Sequence, residues 1–261
     1  MNDQETTRRP CAALILAAGK GTRMGDDRPK VLHEVAGEPM VRWVVKAMRE
    51  AGIGRIILVV GHGADEVRAA FEGEDIEFVL QEEQLGTGHA VDVCREAMHG
   101  FDGNVYVLAG DGPLIRRDTL IQMLEVHEQT DAAATLATSI IDDPTGYGRI
   151  IRNDEGRFDS IVEHRNASDE QLEIHEIYPS YALFDSNALF EALSSLEPDP
   201  VSGEYYLTEI PSRLLHAGGI VEVVAAVPPE DVLSINTPDQ LAEVDAILRN
   251  RLATSLTETT P

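Results

Sequence analysis

Short apolar runs alternate with amphipathic stretches through the first half of the chain. Strands are predicted at 12–16, 55–60, 77–80, 104–108 and 132–137, and helices with a 3.6-residue period at 40–51, 64–71, 88–98 and 119–129. This alternation is typical of βαβ crossovers, in which helices cover both faces of a parallel sheet. We therefore predict an α/β protein with a Rossmann-like, mostly parallel sheet and helices on both of its faces.

From about residue 139 the pattern changes to shorter strands, predicted at 147–152, 158–162 and 177–184, and it ends in a helix predicted at 238–252. We expect antiparallel strands in this half and a single domain over 11–252, in which 139–252 packs on 11–138. The polar ends, 1–10 and 253–261, have no apolar period, and we expect them to be mobile tails.

Composition excludes several classes of protein. No apolar run reaches the roughly eighteen residues that a membrane helix needs, and the start of the chain lacks the pattern of a secretory signal. The net charge of −25 argues against nucleic acid and anionic membranes as partners. Two cysteines are too few for a disulfide framework and lack the spacing of a zinc site. We expect a cytoplasmic protein.

The most informative segment is residues 14–30, LILAAGKGTRMGDDRPK. Its glycines directly follow an apolar strand, where successive backbone N–H groups can turn toward one anion. The chain has three lysines, of which Lys20 and Lys30 lie in this segment, and Arg23 and Arg28 lie between them. Because so acidic a protein repels a polyphosphate at long range, binding one requires a local concentration of positive charge such as this.

Two well-known phosphate loops do not match this segment, and Gly19 and Gly21 alone leave open a plain glycine turn with surface cations. A Walker A loop needs G-x-x-x-x-G-K-[ST], which occurs nowhere in the chain. A dinucleotide fingerprint needs G-x-G-x-x-G, whereas Gly19, Gly21 and Gly25 are spaced G-x-G-x-x-x-G. Cations among the glycines favour a triphosphate over a nicotinamide dinucleotide.

LAAGKGTRM and the following PKVLH resemble the signature of sugar-1-phosphate nucleotidyltransferases, most closely that of the uridylyltransferase domain of bacterial bifunctional enzymes that also acetylate glucosamine-1-phosphate. Six further blocks continue the resemblance in the same order: VLQEEQLGTGHA (79–90), AGDGPL (109–114), DDPTGYGRI (142–150), IVEH (161–164), GEYYLTEI (203–210) and Asn236. The resemblance covers about residues 11–250. It implies the nucleotide-diphospho-sugar transferase fold, with a nucleotide-binding half over 11–138 and a sugar-binding half over 139–252.

The resemblance implies transfer of a uridylyl group from UTP to a sugar-1-phosphate of a hexosamine type, such as N-acetylglucosamine-1-phosphate, with release of pyrophosphate. Arg23 and Lys30 are the implied catalytic residues, and Asp111 and Asn236 are the implied ligands of a Mg²⁺ cofactor. The residues implied to bind the nucleotide are Leu16, Ala17, Ala18, Gly19, Gly21, Thr22, Gln81, Gln84, Gly86 and Thr87. Those implied to bind the sugar are Gly110, Gly148, Glu163, Tyr178, Tyr206 and Thr208.

The residue types suit these roles. Asp111 follows an apolar strand at the edge where open α/β sheets bind ligands, and its carboxylate is a ligand that Mg²⁺ prefers. Gln81 and Gln84 carry the paired donor and acceptor that match a pyrimidine. On sequence alone, a turn or a helix cap is the alternative for Asp111 and for Asn236.

The sugar-binding half departs from the family pattern, whereas the nucleotide-binding half keeps it. Ala109 stands where a Tyr is usual, Gly112 replaces a β-branched residue, and Tyr178-Pro179-Ser180 stands where the family reads N-T-G. A site that lacks a hydrogen-bonding partner for its substrate discriminates less sharply. We therefore expect the reaction type to hold, and N-acetylglucosamine-1-phosphate to be used less efficiently than the pattern implies.

The bifunctional enzymes continue, beyond the point where this sequence stops, into a β-helix of hexapeptide repeats that carries acetyl transfer. We therefore expect no acetyl transfer, and a monomer or small homo-oligomer rather than a trimer built by that β-helix. Two alternatives stay open: an enzyme of the same superfamily with another nucleotide or acceptor, and a nucleotide-binding module without turnover.

Overall fold

Strands and helices alternate along residues 9–258, the part of the chain that the computed structural model describes. The strands are β1 (Cys11–Ala17), β2 (Glu34–Val35), β3 (Glu38–Pro39), β4 (Arg55–Val60), β5 (Glu77–Leu80), β6 (Asn104–Ala109), β7 (Ala134–Ile140), β8 (Gly148–Arg152), β9 (Phe158–Val162), β10 (Glu176–Asp185) and β11 (Val221–Val224). The helices are α1 (Met40–Glu50), α2 (Ala64–Ala70), α3 (Thr87–Asp92), α4 (Arg117–Thr130), α5 (Asp169–Leu172), α6 (Ser186–Leu193), α7 (Ile210–His216) and α8 (Pro238–Glu258).

One nine-stranded sheet joins both halves of the chain. Seven of its strands lie in the order β11-β7-β10-β6-β1-β4-β5, and β8 pairs with β10 and with β9. Strands β5, β4, β1 and β6 run parallel, β10 is antiparallel to both of its neighbours, and β11 is parallel to β7. The predicted α/β architecture with a mostly parallel sheet is confirmed.

Helices cover both faces of the sheet, as the sequence of β1 requires. Alternate residues of a strand point to opposite faces, so Ala13 and Ile15 belong to one apolar cluster and Ala12 and Leu14 to the other. Helices α1, α2, α4 and α8 complete the first cluster, and α3, α6 and α7 complete the second. The sheet is therefore buried on both faces, and its strand ends are left to form a site.

The predicted antiparallel strands of the second half are confirmed in β8, β9 and β10, but these strands extend the sheet of the first half instead of packing on it. Strand β10 lies between β6 and β7, and its register with β7 shifts between Ile177 and Tyr181. An apolar strand has the same pattern in either arrangement, so periodicity could not distinguish them. Helices α6 and α7 and strand β11 were not predicted. A single helix was predicted over 88–98, whereas α3 ends at Asp92 and irregular turns follow.

A buried carboxylate fixes the segment that leads into α8. Asp231 is 1% exposed and pairs with Arg116 and Arg251, and Arg251 also donates to the Leu114 carbonyl at 3.0 Å. A buried charge is costly unless it is paired, so this network holds the segment against the loop after β6. The chain then passes the end of β6, where the Ile235 N–H donates to the Asp111 carbonyl at 3.0 Å.

The structure describes parts of both predicted tails, and their mobility stays a prediction. Arg9 pairs with Asp102 and Asp185, and α8 continues to Glu258 instead of ending at 252. The other tail residues, 1–8 and 259–261, lie outside the described residues. None of the helices in the described part of the chain combines the length and the apolar character of a membrane span.

Candidate active site

A cleft of about 520 Å³ opens at the carboxyl ends of β1, β5 and β6. Ligands bind at this edge of open α/β sheets because the loops after neighbouring parallel strands meet there. Both halves of the chain contribute to the lining. The predicted site residues that line the cleft are Leu16, Ala17, Ala18, Gly19, Lys30, Gln81, Gln84, Gly86, Thr87, Asp111, Glu163, Tyr178, Tyr206 and Thr208.

Four side chains from distant parts of the sequence meet at one end of the cleft, where Lys30 and Asp111 line it and Arg23 and Asn236 lie just outside its lining. The Lys30 ammonium group forms an ion pair with the Asp111 carboxylate and donates to Asn236 Oδ1 at 2.7 Å. Arg23 donates to the same Asn236 oxygen at 3.0 Å. The side chains of Lys30 and Asp111 are 12% and 20% exposed, so solvent screens their attraction less than that of a surface pair. The predicted catalytic and metal-binding residues thus form one cluster.

Local backbone structure places Lys30 in this cluster. Lys30 begins a short 3₁₀ turn, Lys30–Leu32, directly after Pro29. Gly21 has a φ of +60°, and a Cβ on it would stand 2.5 Å from the Lys30 Cβ. The missing side chain of Gly21 therefore leaves room for the Lys30 side chain. Gly19 lines the cleft, whereas Gly21 and Thr22 do not.

The predicted base-reading residues form a loop after β5. Gln81 is 3% exposed, and its Nε2 lies 3.1 Å from both the Gly86 carbonyl oxygen and His89 Nδ1. Gln84 Nε2 donates to the Gln81 carbonyl at 3.1 Å. Both glutamines therefore hold the loop in shape as well as lining the cleft.

Residues 204–208, which we call the 204–208 arm, are hydrogen-bonded to this loop. The Tyr205 N–H donates to the Leu85 carbonyl, and the Gly88 N–H donates to the Tyr205 carbonyl, both at 2.8 Å. A Cβ on Gly86 would stand 2.5 Å from the Tyr205 carbonyl oxygen. The 204–208 arm can therefore approach the loop only because residue 86 is a glycine. This role of Gly86 is separate from its predicted contact with a base.

Side chains continue this contact into the wall that carries the predicted sugar-binding residues. The Leu207 N–H donates to Thr87 Oγ1 at 3.0 Å, and Thr208 Oγ1 donates to Glu163 Oε1 at 2.9 Å. Thr87, predicted to bind the nucleotide, thus also holds the residue next to Thr208. The two sets of predicted residues are mechanically connected.

Two charged residues of this wall were not predicted from the sequence. Glu204 Oε2 accepts a hydrogen bond from Tyr206 Oη at 2.9 Å, and the Arg165 guanidinium lies 4.8 Å from the centre of the Tyr206 ring. Both line the cleft. The available signal was their position, since Glu204 lies inside GEYYLTEI and Arg165 directly follows IVEH.

The departures from the family pattern cluster around β10. Tyr178 is buried at the cleft wall, where burial and the nearby Glu163 carboxylate raise the pKa of its phenol. Ser180 also lines the cleft, and its φ of +67° is a left-handed conformation that favours the glycine usual at this position. A Cβ on Gly112 would stand 2.5 Å from Tyr181 Oη, so Tyr181 fills the space that a β-branched residue there would need.

Two glycines predicted to bind the sugar lie behind the cleft wall. The Gly110 N–H donates to the Leu16 carbonyl at 2.9 Å, which joins the ends of β6 and β1. Gly148 in β8 pairs with Tyr178, and a Cβ on it would stand 3.0 Å from the Ile161 side chain. In this structure both glycines pack the wall and do not line the cleft.

Comparison with known families agrees with this arrangement. The model of the MobA-like NTP transferase domain family matches residues 13–216, a span that includes the β1 loop, the loop after β5 and the 204–208 arm. The chain belongs to this family. The predicted membership among nucleotidyltransferases is confirmed.

Individual relatives add detail. The chain is 44% identical over 242 residues to the bifunctional protein GlmU of Brevibacillus brevis, which covers 93% of this chain and 52% of that protein. It is 46% identical over 242 residues to the bifunctional protein GlmU of Geobacter metallireducens, covering 92% of this chain and 51% of that protein. The chain therefore spans about half the length of the curated relatives it matches.

A solved structure from Bacillus anthracis, assigned as a glucose-1-phosphate thymidylyltransferase in complex with a sucrose, has the same fold. Its TM-score is 0.75 at 21% identity, and the match covers 92% of this chain and 95% of that one. At this identity the likeness establishes the fold alone.

Proposed function

We propose that the protein transfers a uridylyl group from UTP to a sugar-1-phosphate of the hexosamine type, forming a UDP-sugar and pyrophosphate. A phosphate oxygen of the sugar-1-phosphate attacks the α-phosphorus of UTP. The bond from the α-phosphorus to the oxygen that bridges to the β-phosphorus breaks, and pyrophosphate leaves with that electron pair. The convergence of Lys30, Asp111, Asn236 and Arg23 at the end of the cleft is the observation that carries this proposal.

Both substrates are anions, so the protein must neutralise charge and hold the two phosphates in line. Lys30 is the cation in the cleft lining nearest to Asp111, and it would move to the α-phosphate when UTP binds. Arg23 and the glycine loop would hold the β- and γ-phosphates. Little covalent chemistry remains for the side chains, because positioning and charge stabilisation account for most of the rate enhancement in phosphoryl transfer.

The residues at this end of the cleft fit a Mg²⁺ ion. The Asp111 carboxylate and Asn236 Oδ1 are hard oxygen ligands, and they already converge on a cation, the Lys30 ammonium group. Among the side chains that the structure describes, no group of three or more His, Cys, Asp or Glu could hold a metal ion. A two-residue site suits Mg²⁺, which keeps several waters and takes its other ligands from substrate phosphates. Such an ion would neutralise charge on the phosphates during transfer.

The wall formed by Glu163 and the 204–208 arm would receive the sugar. The Glu163 carboxylate and the hydroxyl groups of Thr208 and Tyr206 can exchange hydrogen bonds with sugar hydroxyls. Tyr178 stands on the same wall where the family pattern has an amide. We propose that a hexosamine phosphate is accepted, with weaker selection for its N-acetyl group.

The test is a matrix of UTP, dTTP, CTP, ATP and GTP against glucose-, glucosamine- and N-acetylglucosamine-1-phosphate, with product masses and pyrophosphate release measured together. We expect UDP-sugars to form fastest, and dTDP-sugars to be the closest competitors. Formation of CDP- or GDP-sugars at higher kcat/KM would show that the nucleotide is wrong. Binding of UTP without pyrophosphate release with any acceptor would instead indicate a nucleotide-binding module.

A further inference from the structure

We propose that Lys30 holds the cation position of the active site until the nucleotide arrives, so that the divalent metal binds only with the nucleotide. This inference rests on the proposed function for the identity of the nucleotide and the metal. It assigns Lys30 a second role, before chemistry, as the residue that sets the order of binding.

The position of the lysine nitrogen supports this role. Nζ contacts both the Asp111 carboxylate and Asn236 Oδ1, the only two side-chain oxygens that the proposal assigns to the metal. Mg²⁺ binds oxygen directly, so an ion ligated by both oxygens would take the contacts that Nζ makes now. The ammonium group and the metal therefore exclude each other from this site.

Charge strengthens this exclusion. Arg23 also donates to Asn236 Oδ1, so this oxygen already accepts hydrogen bonds from two positive side chains. Two unit charges 4 Å apart repel with an energy equivalent to about fivefold in an equilibrium constant in water, and a divalent ion doubles that energy. Even with its ammonium group displaced to 4 Å from the ion, Lys30 would therefore weaken metal binding by roughly 30-fold, and by more in this partly buried site.

A triphosphate removes the obstacle. Lysine is a compact charge on a flexible four-carbon stem, so its ammonium group can move to a phosphate oxygen without movement of the backbone. The displaced lysine leaves Asp111 and Asn236 free, and the phosphates supply the remaining ligands that Mg²⁺ requires. Nucleotide binding thus both vacates and completes the metal site.

The lysine content of the chain makes a direct test possible. Only Lys20, Lys30 and Lys46 are present, so protein labelled with ¹³C at lysine Cε gives three correlation signals, each assignable from one Lys→Met variant. We expect UTP without metal to move the Lys30 signal, and Mg²⁺ without nucleotide to leave it in place at concentrations that saturate the UTP complex. A Lys30 signal that moves with Mg²⁺ alone, or that does not respond to UTP, would overturn the proposal.

Metal binding by the nucleotide-free protein provides the second measurement. We expect Lys30→Met to bind Mn²⁺, followed by electron paramagnetic resonance, about 30-fold more tightly than the parent, and Asp111→Asn in that background to abolish the gain. Lys46→Met is the matched control, because Lys46 lies on α1 over the Trp43 ring and outside the cleft lining. Equal Mn²⁺ affinity of Lys30→Met and the parent would contradict the proposal.

Neither measurement depends on turnover, so the two proposals can fail separately. A protein that shows these lysine and Mn²⁺ responses but forms no nucleotide sugar would refute the proposed function alone. A protein that forms UDP-sugars but takes up Mn²⁺ equally with and without Lys30 would refute the binding order alone.

Discussion

The contact between the 204–208 arm and the loop after β5 predicts that Gly86→Ala damages use of the sugar-1-phosphate. The new Cβ would stand 2.5 Å from the Tyr205 carbonyl oxygen and 2.8 Å from its nitrogen, so the arm must move. That movement breaks two backbone hydrogen bonds, from Tyr205 to Leu85 and from Gly88 to Tyr205, each worth about 1 kcal/mol. The φ of +103° at Gly86 adds about 1–3 kcal/mol of strain for alanine.

A control separates the strain from the loss of contact. Gly218 has a φ of +90°, and a Cβ on it would meet no atom within 4 Å, so Gly218→Ala suffers backbone strain alone. Urea unfolding should show Gly86→Ala to be less stable than Gly218→Ala by about 2 kcal/mol. An energy of this size, if it is lost at the arm, corresponds to about 30-fold in kcat/KM for the sugar-1-phosphate.

The assay is steady-state kinetics with each substrate varied in turn, at a temperature where both variants are folded. We expect the kcat/KM for the sugar-1-phosphate to fall in Gly86→Ala by a larger factor than that for UTP, and Gly218→Ala to resemble the parent. If Gly86→Ala is as stable as Gly218→Ala, or if only its use of UTP declines, then the arm does not depend on this loop.

Three further predictions concern single side chains. Lys30→Met should lower kcat by about 10²-fold or more, because it removes a positive charge from the reacting phosphate. Lys46→Met should turn over like the parent, and equal kcat values for Lys30→Met and the parent would contradict the assignment. Tyr178→Asn restores the amide of the family pattern. The ratio of kcat/KM for N-acetylglucosamine-1-phosphate to that for glucose-1-phosphate should rise by about tenfold. An unchanged ratio would show that Tyr178 does not set the choice of acceptor. His127 is 3% exposed, and burial lowers its pKa to about 4 from 6.5. Below pH 6.5 the unfolded chain takes up a proton at His127 that the folded chain does not. From pH 7.5 to pH 5 the free energy of unfolding should therefore fall by about 2 kcal/mol more in the parent than in His127→Leu. Equal pH dependence of the two proteins in urea unfolding would refute this.

Much of the fold was predictable because period and burial agree along the central strands. Strands β1, β4, β5 and β6 are short apolar runs bounded by turns, and each is found close to its predicted position. The placement of β10 between β6 and β7 was not predictable, since a strand's sequence carries no record of its neighbours. Helix α8 is longer than predicted, because its polar C-terminal end continues the helix without a recognisable stop signal.

The site was predictable where side-chain chemistry identifies it and unpredictable where the backbone does. The glycines and cations around Lys30, together with the resemblance, predicted the residues that cluster with Asp111. Tyr205 contacts the loop after β5 through backbone N–H and carbonyl groups. Because nearly every residue carries these groups, no residue type in the sequence indicates this contact. Gly86 was therefore assigned to base recognition alone, although the structure shows that its missing side chain also admits the arm.

The most direct test of the proposed reaction follows the oxygen atoms. The protein would be given UTP, Mg²⁺ and N-acetylglucosamine-1-phosphate carrying ¹⁸O in the non-bridging oxygens of its phosphate, and the products would be resolved by mass spectrometry. Attack by the sugar phosphate on the α-phosphorus predicts that the UDP-sugar retains all of the label and that pyrophosphate contains none. Label in pyrophosphate, or release of UMP in place of a UDP-sugar, would contradict the account.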